Sequence, residues 1–321
     1  MYKKIGFLKS DKDNEKRICI FPSDIKNIKY SQNIFIEKGY GKNFYIDDNE
    51  YEKLGCKIKN QNDILNECDV IVDPKIGDAK YLNKINNKII FGWIHAVQNK
   101  NITDILLQNN NTVFAWEEMF NDARHIFWKN NEIAGEASVL DALLKFGILP
   151  LNSKIAILGN GNTGRGAYKV LTQLGANPIV YSRKMEKNFK KEMFDYDIII
   201  NCVLWDVNRK DHIIYEKDIN KFKKGTLIID ISCDNNGAIE FGKTTTMEKP
   251  IIDYGRIAYY AVDHTPSLLY KTVSIELSKN IVKYINEFIE NNYSIELLNA
   301  KIIEKGKIID EKISIYQNRN V

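Results

Sequence analysis

Residues Lys154–Lys184 read KIAILGNGNTGRGAYKVLTQLGANPIVYSRK. An apolar, strand-like run leads straight into Gly159, Gly161 and Gly164, and from there into a helical pattern. A GxGxxG spacing alone is a weak signal, but between a strand and a helix each glycine has its own task. Gly159 permits the tight turn, Gly161 lets the backbone approach a pyrophosphate, and Gly164 lets helix and strand pack closely. The helix amino terminus, at Asn162 and Thr163, adds unpaired N–H groups and a dipole that favours an anion. The stretch therefore predicts a dinucleotide-binding turn, with Gly159, Gly161, Asn162, Thr163 and Gly164 at the phosphates.

The end of the stretch narrows the ligand. A second strand, NPIVYS, should finish near the adenosine ribose, where an Asp or Glu would hold both hydroxyls and repel a 2′-phosphate. Here Ser182, Arg183 and Lys184 occupy that corner. A guanidinium clasps phosphate in bidentate fashion and a lysine adds a point charge, so the expected cofactor is NADP(H).

Outward from this turn the chain alternates strand-like and helical segments. KKIGFLK, NIFIEKG, CDVIVDPK, NKIIFGWIHA and NTVFAWEE read as strands in the first third, with NDILNE and ITDILLQNN as helices between them. A long helical pattern, IAGEASVLDALLKFG, stops at Gly147 and Pro150. Then come the strands KIAILG, NPIVYS, YDIIINCV and GTLIIDIS, and a second long amphipathic pattern, LLYKTVSIELSKNIVKYINEFIEN. The tail AKIIEKGKIIDEKISIY alternates around a glycine and reads as a hairpin or extended arm.

The expected fold class is α/β: two Rossmann-like domains with parallel sheets, joined by two long helices, the first domain discontinuous, with a cleft between them. Residues 1–133 plus 267–321 would form the substrate domain and 134–266 the dinucleotide domain. The cleft is the expected site.

Composition excludes several function classes. The 321 residues are 44% hydrophobic and 27% charged, with a net charge of +4. Lys and Arg alternate with Asp and Glu, so no nucleic-acid footprint is expected. No apolar run approaches the ~20 residues of a membrane span, and the first ten residues are too charged for a secretory leader. Cys19, Cys56, Cys68, Cys202 and Cys233 form no CxxC pair, which suits reduced thiols in a cytoplasmic protein. The four histidines share no ligand spacing, and no metal is expected.

Candidate chemistry gathers at predicted strand ends. DNEKRICIFP brings Glu15 and Arg17, DVIVDPKIGD brings Lys75, and KIIFGWIHAV ends on His95. Arginine suits a carboxylate, a desolvated lysine serves as a base, and histidine titrates near neutrality. Singly, each has an ordinary structural explanation; three at the carboxyl ends of one predicted sheet point to a site. In the second domain LIIDISCDNNG carries Asp230 and Asp234, with Asp234 able to face a nicotinamide. AVDHTPS carries Asp263 and His264, which read as helix caps.

In order, NEKRICIFP, DPK, the strand ending in His95, the GxGxxG turn, INCV, IDISCD and VDHTPSLL resemble the alanine dehydrogenase and saccharopine dehydrogenase group over nearly the whole chain. The resemblance implies that Arg17 binds a keto-acid carboxylate, that Lys75 stands beside the reacting carbon, and that His95 is the acid/base. It further implies that Glu118, with Glu117 as competitor, tunes that pair, and that Asp234 lies near the nicotinamide. Arg124 would be a second carboxylate ligand, although its spacing departs from the saccharopine pattern. Two further departures are Ile76, where saccharopine dehydrogenase has a glutamate, and Asn236-Gly237, where alanine dehydrogenase has a glycine pair.

The implied activity is that of an opine-type oxidoreductase acting on CH–NH donors: pyruvate condenses with the side-chain amine of ornithine or lysine, and NADPH reduces the imine. Alanine dehydrogenase (with ammonia), saccharopine dehydrogenase and a non-catalytic NADP-binding sensor are the alternatives. The expected partners are these small molecules and further copies of the chain in a homo-oligomer.

Overall fold

The computed structural model describes residues 2–206, 209–233 and 237–319. Its strands in chain order are β1 (Ile5–Phe7), β2 (Ile34–Glu37), β3 (Lys57–Lys59), β4 (Val70–Val72), β5 (Ile89–Gly92), β6 (Thr112–Ala115), β7 (Phe120–Asn121) and β8 (Arg124–His125). They continue as β9 (Ile155–Leu158), β10 (Ile179–Tyr181), β11 (Ile198–Asn201), β12 (Thr226–Asp230), β13 (Ile251–Asp253), β14 (Ile257–Tyr260), β15 (Lys301–Glu304) and β16 (Lys307–Ile308). The chain divides into two compact units, Met1–Phe127 with Tyr270–Val321, and Trp128–Leu269.

Short β-branched runs make the first unit's sheet. VIV, IIFG and TVFA are too short for stable helices and apolar on both faces, the pattern of strands covered on each side. They pair in parallel within an eight-stranded sheet of order β16-β15-β6-β5-β4-β1-β2-β3. Alternation sends neighbours to opposite faces. Ile71, Ile90 and Val113 join one core cluster with Ile64, Leu65, Ile102 and Leu106 from the Gln61–Glu67 and Lys100–Gln108 helices. Phe91, next to Ile90, instead meets Tyr284 and Phe288 of the Tyr270–Glu290 helix edge-on.

The second unit repeats the scheme in a six-stranded sheet of order β10-β9-β11-β12-β14-β13. Ile155, Ile157, Ile198, Ile200, Leu227 and Ile229 pack with Val139, Leu143, Val170 and Leu171 on one face. Ala156, Leu158, Ile199 and Ile228 pack with Phe189, Tyr196 and Trp205 on the other. The α/β architecture with two Rossmann-like sheets thus stands. The sheets are not wholly parallel: β15 and β16 add antiparallel strands to the first, and β13 closes the second antiparallel to β14.

Five strands escape the sequence pattern, two of them the two-residue β7 and β8, which among the described residues pair only with each other. β3 is a charged three-residue edge, and β13 and β14 form a hairpin around Gly255 in a tyrosine-rich run. The tail also ends differently from an extended arm. After the β15–β16 hairpin, Glu311–Tyr316 is a helix whose N-cap Asp310 accepts a hydrogen bond from the Lys312 backbone N–H at 2.9 Å.

Candidate active site

In the first unit, adjacent parallel strands end side by side and deliver two side chains to one point. β4 runs into Asp73-Pro74-Lys75 and β5 into Trp93-Ile94-His95, and Lys75 Nζ lies 3.5 Å from His95 Nε2. The turns meet too closely for side chains at two positions. A Cβ on Gly92 would stand 2.1 Å from the Asp73 carbonyl oxygen, and one on Gly77 2.2 Å from that of Ile94. His95 itself sits in the left-handed region, at φ 55°, a conformation costly for a residue with a Cβ.

Glu117, just past β6, holds that turn. Its carboxylate accepts from the His95 N–H at 2.6 Å and the Ile94 N–H at 3.2 Å. Burial pushes its carboxyl up to about 7 even though these bonds favour the charged form. Glu118 points elsewhere, taking the Lys312 ammonium at 2.6 Å. The placement therefore favours Glu117 over Glu118 as the carboxylate beside His95.

Arg17 is buried, with its guanidinium 5.1 Å from the centre of the Trp93 ring. Its Nε and Nη2 donate to Glu15 at 2.8 and 2.6 Å. Burial works against the Glu15 charge, but the Arg17 guanidinium, with help from Lys75, outweighs it and holds the carboxyl below its ordinary range. The loop carrying Arg17 is fastened from the long helix: Ser274 Oγ accepts the Ile18 N–H and Ser278 Oγ the Phe21 N–H, each at 2.9 Å.

Two further carboxylates flank Lys75. Asp78, one turn on, lies 3.6 Å from Lys75 Nζ and 2.9 Å from Lys12 Nζ. Burial opposes its charge, and the two ammonium groups overcome that and hold its pKa down. A carboxylate thus reaches the lysine even though Ile76 replaces the neighbouring glutamate. Asp73 is fully buried, accepts the Lys75 N–H at 2.8 Å and the Tyr81 hydroxyl, and is pushed up to about 7 by burial. Arg124 is exposed on β8, in the two-stranded hairpin with β7.

In the second unit Gly159 and Gly164 sit where the backbone leaves no room for a side chain. Gly159 has φ 96°, and a Cβ there would stand 2.7 Å from the Cys202 carbonyl oxygen. A Cβ on Gly164 would meet the Gly159 carbonyl oxygen at 2.1 Å, whereas one on Gly161 meets nothing within 4 Å. Gly161 caps the Asn162–Gln173 helix, which packs on the Trp128–Phe146 helix through Gly135 and Gly166.

A pocket opens beside this turn. Gly159 and Gly161, Ser182 and Arg183 line it, as do Cys202, Trp205 and Arg209. Asn162, Thr163 and Lys184 are not among its walls. Trp205 Nε1 is buried there with no partner among the described residues. A backbone cradle that excludes Cβ atoms, an open helix terminus and an orphaned buried donor together suit a bound dinucleotide.

Sequence spacing does not disclose Glu186 or Arg209, which also line this pocket. Their pairing joins the start of the Glu186–Glu192 helix to a loop 23 residues on, and no local periodicity marks it. Asp230 ends β12 fully buried, taking Asn201 Nδ2 at 2.8 Å and the Tyr259 hydroxyl at 2.7 Å. His264 is buried with Nδ1 2.5 Å from an Asp263 oxygen. Asp234 lies outside the described residues, as does Asn236.

The chain belongs to the alanine dehydrogenase/PNT family: the N-terminal domain of that family matches residues 6–133 and the C-terminal domain residues 168–316. It is an oxidoreductase, and its family binds nicotinamide cofactors. Within the family it is similar to the N(5)-(carboxyethyl)ornithine synthase of Lactococcus lactis subsp. lactis, 36% identical over 293 residues covering 86% of this chain and 92% of the relative. The N(5)-(carboxyethyl)ornithine synthase of Clostridium botulinum (strain Hall) is 31% identical, covering 88% and 93%. In fold it is similar to a solved L-alanine dehydrogenase, with a TM-score of 0.80 at 18% identity over 98% of this chain and 99% of that one. No helix among the described residues is long and apolar enough to cross a membrane.

Proposed function

We propose that this chain catalyses the NADPH-dependent reductive condensation of pyruvate with the side-chain amine of L-ornithine or L-lysine. With ornithine the product is N5-(1-carboxyethyl)ornithine. The observation that carries this reading is the 3.5 Å approach of Lys75 Nζ to His95 Nε2, in a chain 36% identical to a curated N(5)-(carboxyethyl)ornithine synthase.

Arg17, oriented by Glu15 and Trp93, meets the pyruvate carboxylate. Lys75, as the neutral amine, takes a proton from the incoming side-chain ammonium, and the freed nitrogen adds to the carbonyl carbon. His95, as imidazolium, protonates the resulting hydroxyl, which leaves as water when the C=N bond forms. A bound nicotinamide supplies the hydride that completes the secondary amine. Glu117 keeps His95 in its left-handed turn, and Asp78 steadies Lys75 once it has taken that proton. Asp234 would stand near the nicotinamide, and Arg124 would add a second contact to a substrate carboxylate.

The preference for NADPH rests on the ribose corner. No acid ends β10, Arg183 stands on the pocket wall with Lys184 beside it, and the nearby Glu186 is committed to Arg209 and Lys190. The test is NADPH oxidation with pyruvate and ornithine, lysine or ammonium in turn, with NADH in parallel. Turnover with ornithine or lysine and NADPH is expected. Turnover with ammonium alone would make the enzyme an alanine dehydrogenase instead.

A further inference from the structure

The adenosine side of the second unit's pocket holds a guanidinium with an unusual set of commitments. Arg209 lies with its central carbon 4.2 Å from the middle of the Trp205 ring. Its Nε and Nη2 donate to Asp211 at 2.8 and 2.6 Å, and its Nη1 and Nη2 donate to Glu186 at 2.8 and 3.0 Å. Two carboxylates thus occupy the rim of the planar group. Glu186 is held there by Lys190 as well, at 2.9 Å, and the hydrogen bonds from Arg209 keep its carboxyl below the ordinary range.

Four of the five guanidinium N–H groups are thus engaged, which leaves one Nη1–H and the two faces. One face covers Trp205, which is 8% exposed, yet the Arg209 side chain remains 28% exposed and lines the pocket. With Trp205 on one face and two carboxylates at the rim, the opposite face is the broad surface left to meet a ligand. We propose that this outward face, laid on Trp205 and locked at its rim by Glu186 and Asp211, is the platform on which the purine ring of the cofactor stacks. The proposal rests on the reading of this pocket as a dinucleotide site and adds how its base is recognised.

The chemistry separates two arginines in one pocket. A guanidinium that grips phosphate does so through its N–H rim, and at Arg209 four hydrogen bonds already use it. Arg183, at the end of β10, is left for the 2′-phosphate. Arg209 offers a flat, delocalised, weakly hydrated cation, which stacks well on an aromatic ring. Stacking takes no account of the 2′-phosphate, so Arg209 should serve NADPH and NADH alike. Glu186 and Asp211 are then positioning residues.

The test is calorimetric titration of the full chain with NADPH, NADH, 2′,5′-ADP and 5′-AMP. Arg209→Lys keeps the charge and loses the plane. It should weaken NADPH and NADH by the same factor, about tenfold, and both adenine fragments in parallel. Arg183→Ala should weaken NADPH and 2′,5′-ADP and leave NADH and 5′-AMP unchanged. Asp211→Asn, at a side chain 50% exposed and so tolerant of change, should move both dinucleotides in the same direction as Arg209→Lys. A loss confined to NADPH in Arg209→Lys would make Arg209 a phosphate ligand and overturn the proposal, as would affinities within twofold of the parent for both. A parent chain that binds neither dinucleotide would overturn the nucleotide reading itself, and the stacking with it.

Discussion

Lys75 is where the proposed chemistry is most exposed to test. Its ammonium is bracketed by the His95 ring at 3.5 Å and Asp78 at 3.6 Å, so a methionine keeps the bulk and removes the proton carrier. Lys75→Met is expected to lower kcat by about 10²–10⁴ while NADPH affinity, measured separately by titration, stays within twofold of the parent. A loss of cofactor affinity with kcat unchanged would remove Lys75 from the reaction.

Glu117 gives a stability prediction with a definite sign. Its carboxyl is raised from the ordinary 4.5 to about 7, so the fold favours the neutral form. Its contribution is full below about pH 4.5 and is lost as pH rises through about 7. Glu117→Gln removes that titration. Between pH 5 and pH 8 the parent should lose on the order of 2 kcal/mol relative to the variant, after discounting for partial exposure. Asp73 titrates in the same window but is present in both proteins and cancels. Urea midpoints at the two pH values decide the matter, and parallel curves would count against it. Lys75 and His95 are legible in sequence because each follows a short apolar run, and Arg17 because it opens one. The choice between Glu117 and Glu118 is not, because it depends on which way a three-residue turn rotates.

Among the elements, the helix pair Trp128–Phe146 and Asn162–Gln173 sets the phosphate turn. A Cβ at Gly135 would stand 2.0 Å from the Thr163 carbonyl oxygen, and one at Gly166 1.9 Å from that of Glu132. Gly135→Ala gains about 1 kcal/mol of helix propensity but overpacks the contact by about 1–3 kcal/mol. The net effect should be a lower melting temperature together with weaker NADPH binding, because Thr163 lies in the first turn of the helix at the pocket. A higher melting temperature with unchanged binding would show that the two helices separate freely. The apolar strands of both sheets are readable as short, uninterrupted apolar runs. β13 and β14 are not, since Asp253, Arg256 and the tyrosines around Gly255 mask theirs.

At the scale of the molecule, the second unit is one continuous stretch with its own two-faced core. Residues 128–269 alone are expected to fold cooperatively and to bind NADPH within about tenfold of the full chain, as calorimetry on the isolated stretch would measure. A stretch that stays unfolded would show that its core is completed by the remainder of the chain.

The first unit has no such independence, and this gives its synthesis an order. Ser274 and Ser278, which fasten the segment around Arg17, and β15, which pairs with β6, all come from the last part of the chain. On a ribosome, which adds about 5–20 residues per second, Arg17, Lys75 and His95 emerge first and wait. The nucleotide unit is finished behind them, and only then do the residues arrive that clasp the earlier ones in place. A nascent chain that has released residue 269 but not the segments beyond it would hold a finished nucleotide unit and an unclasped first one.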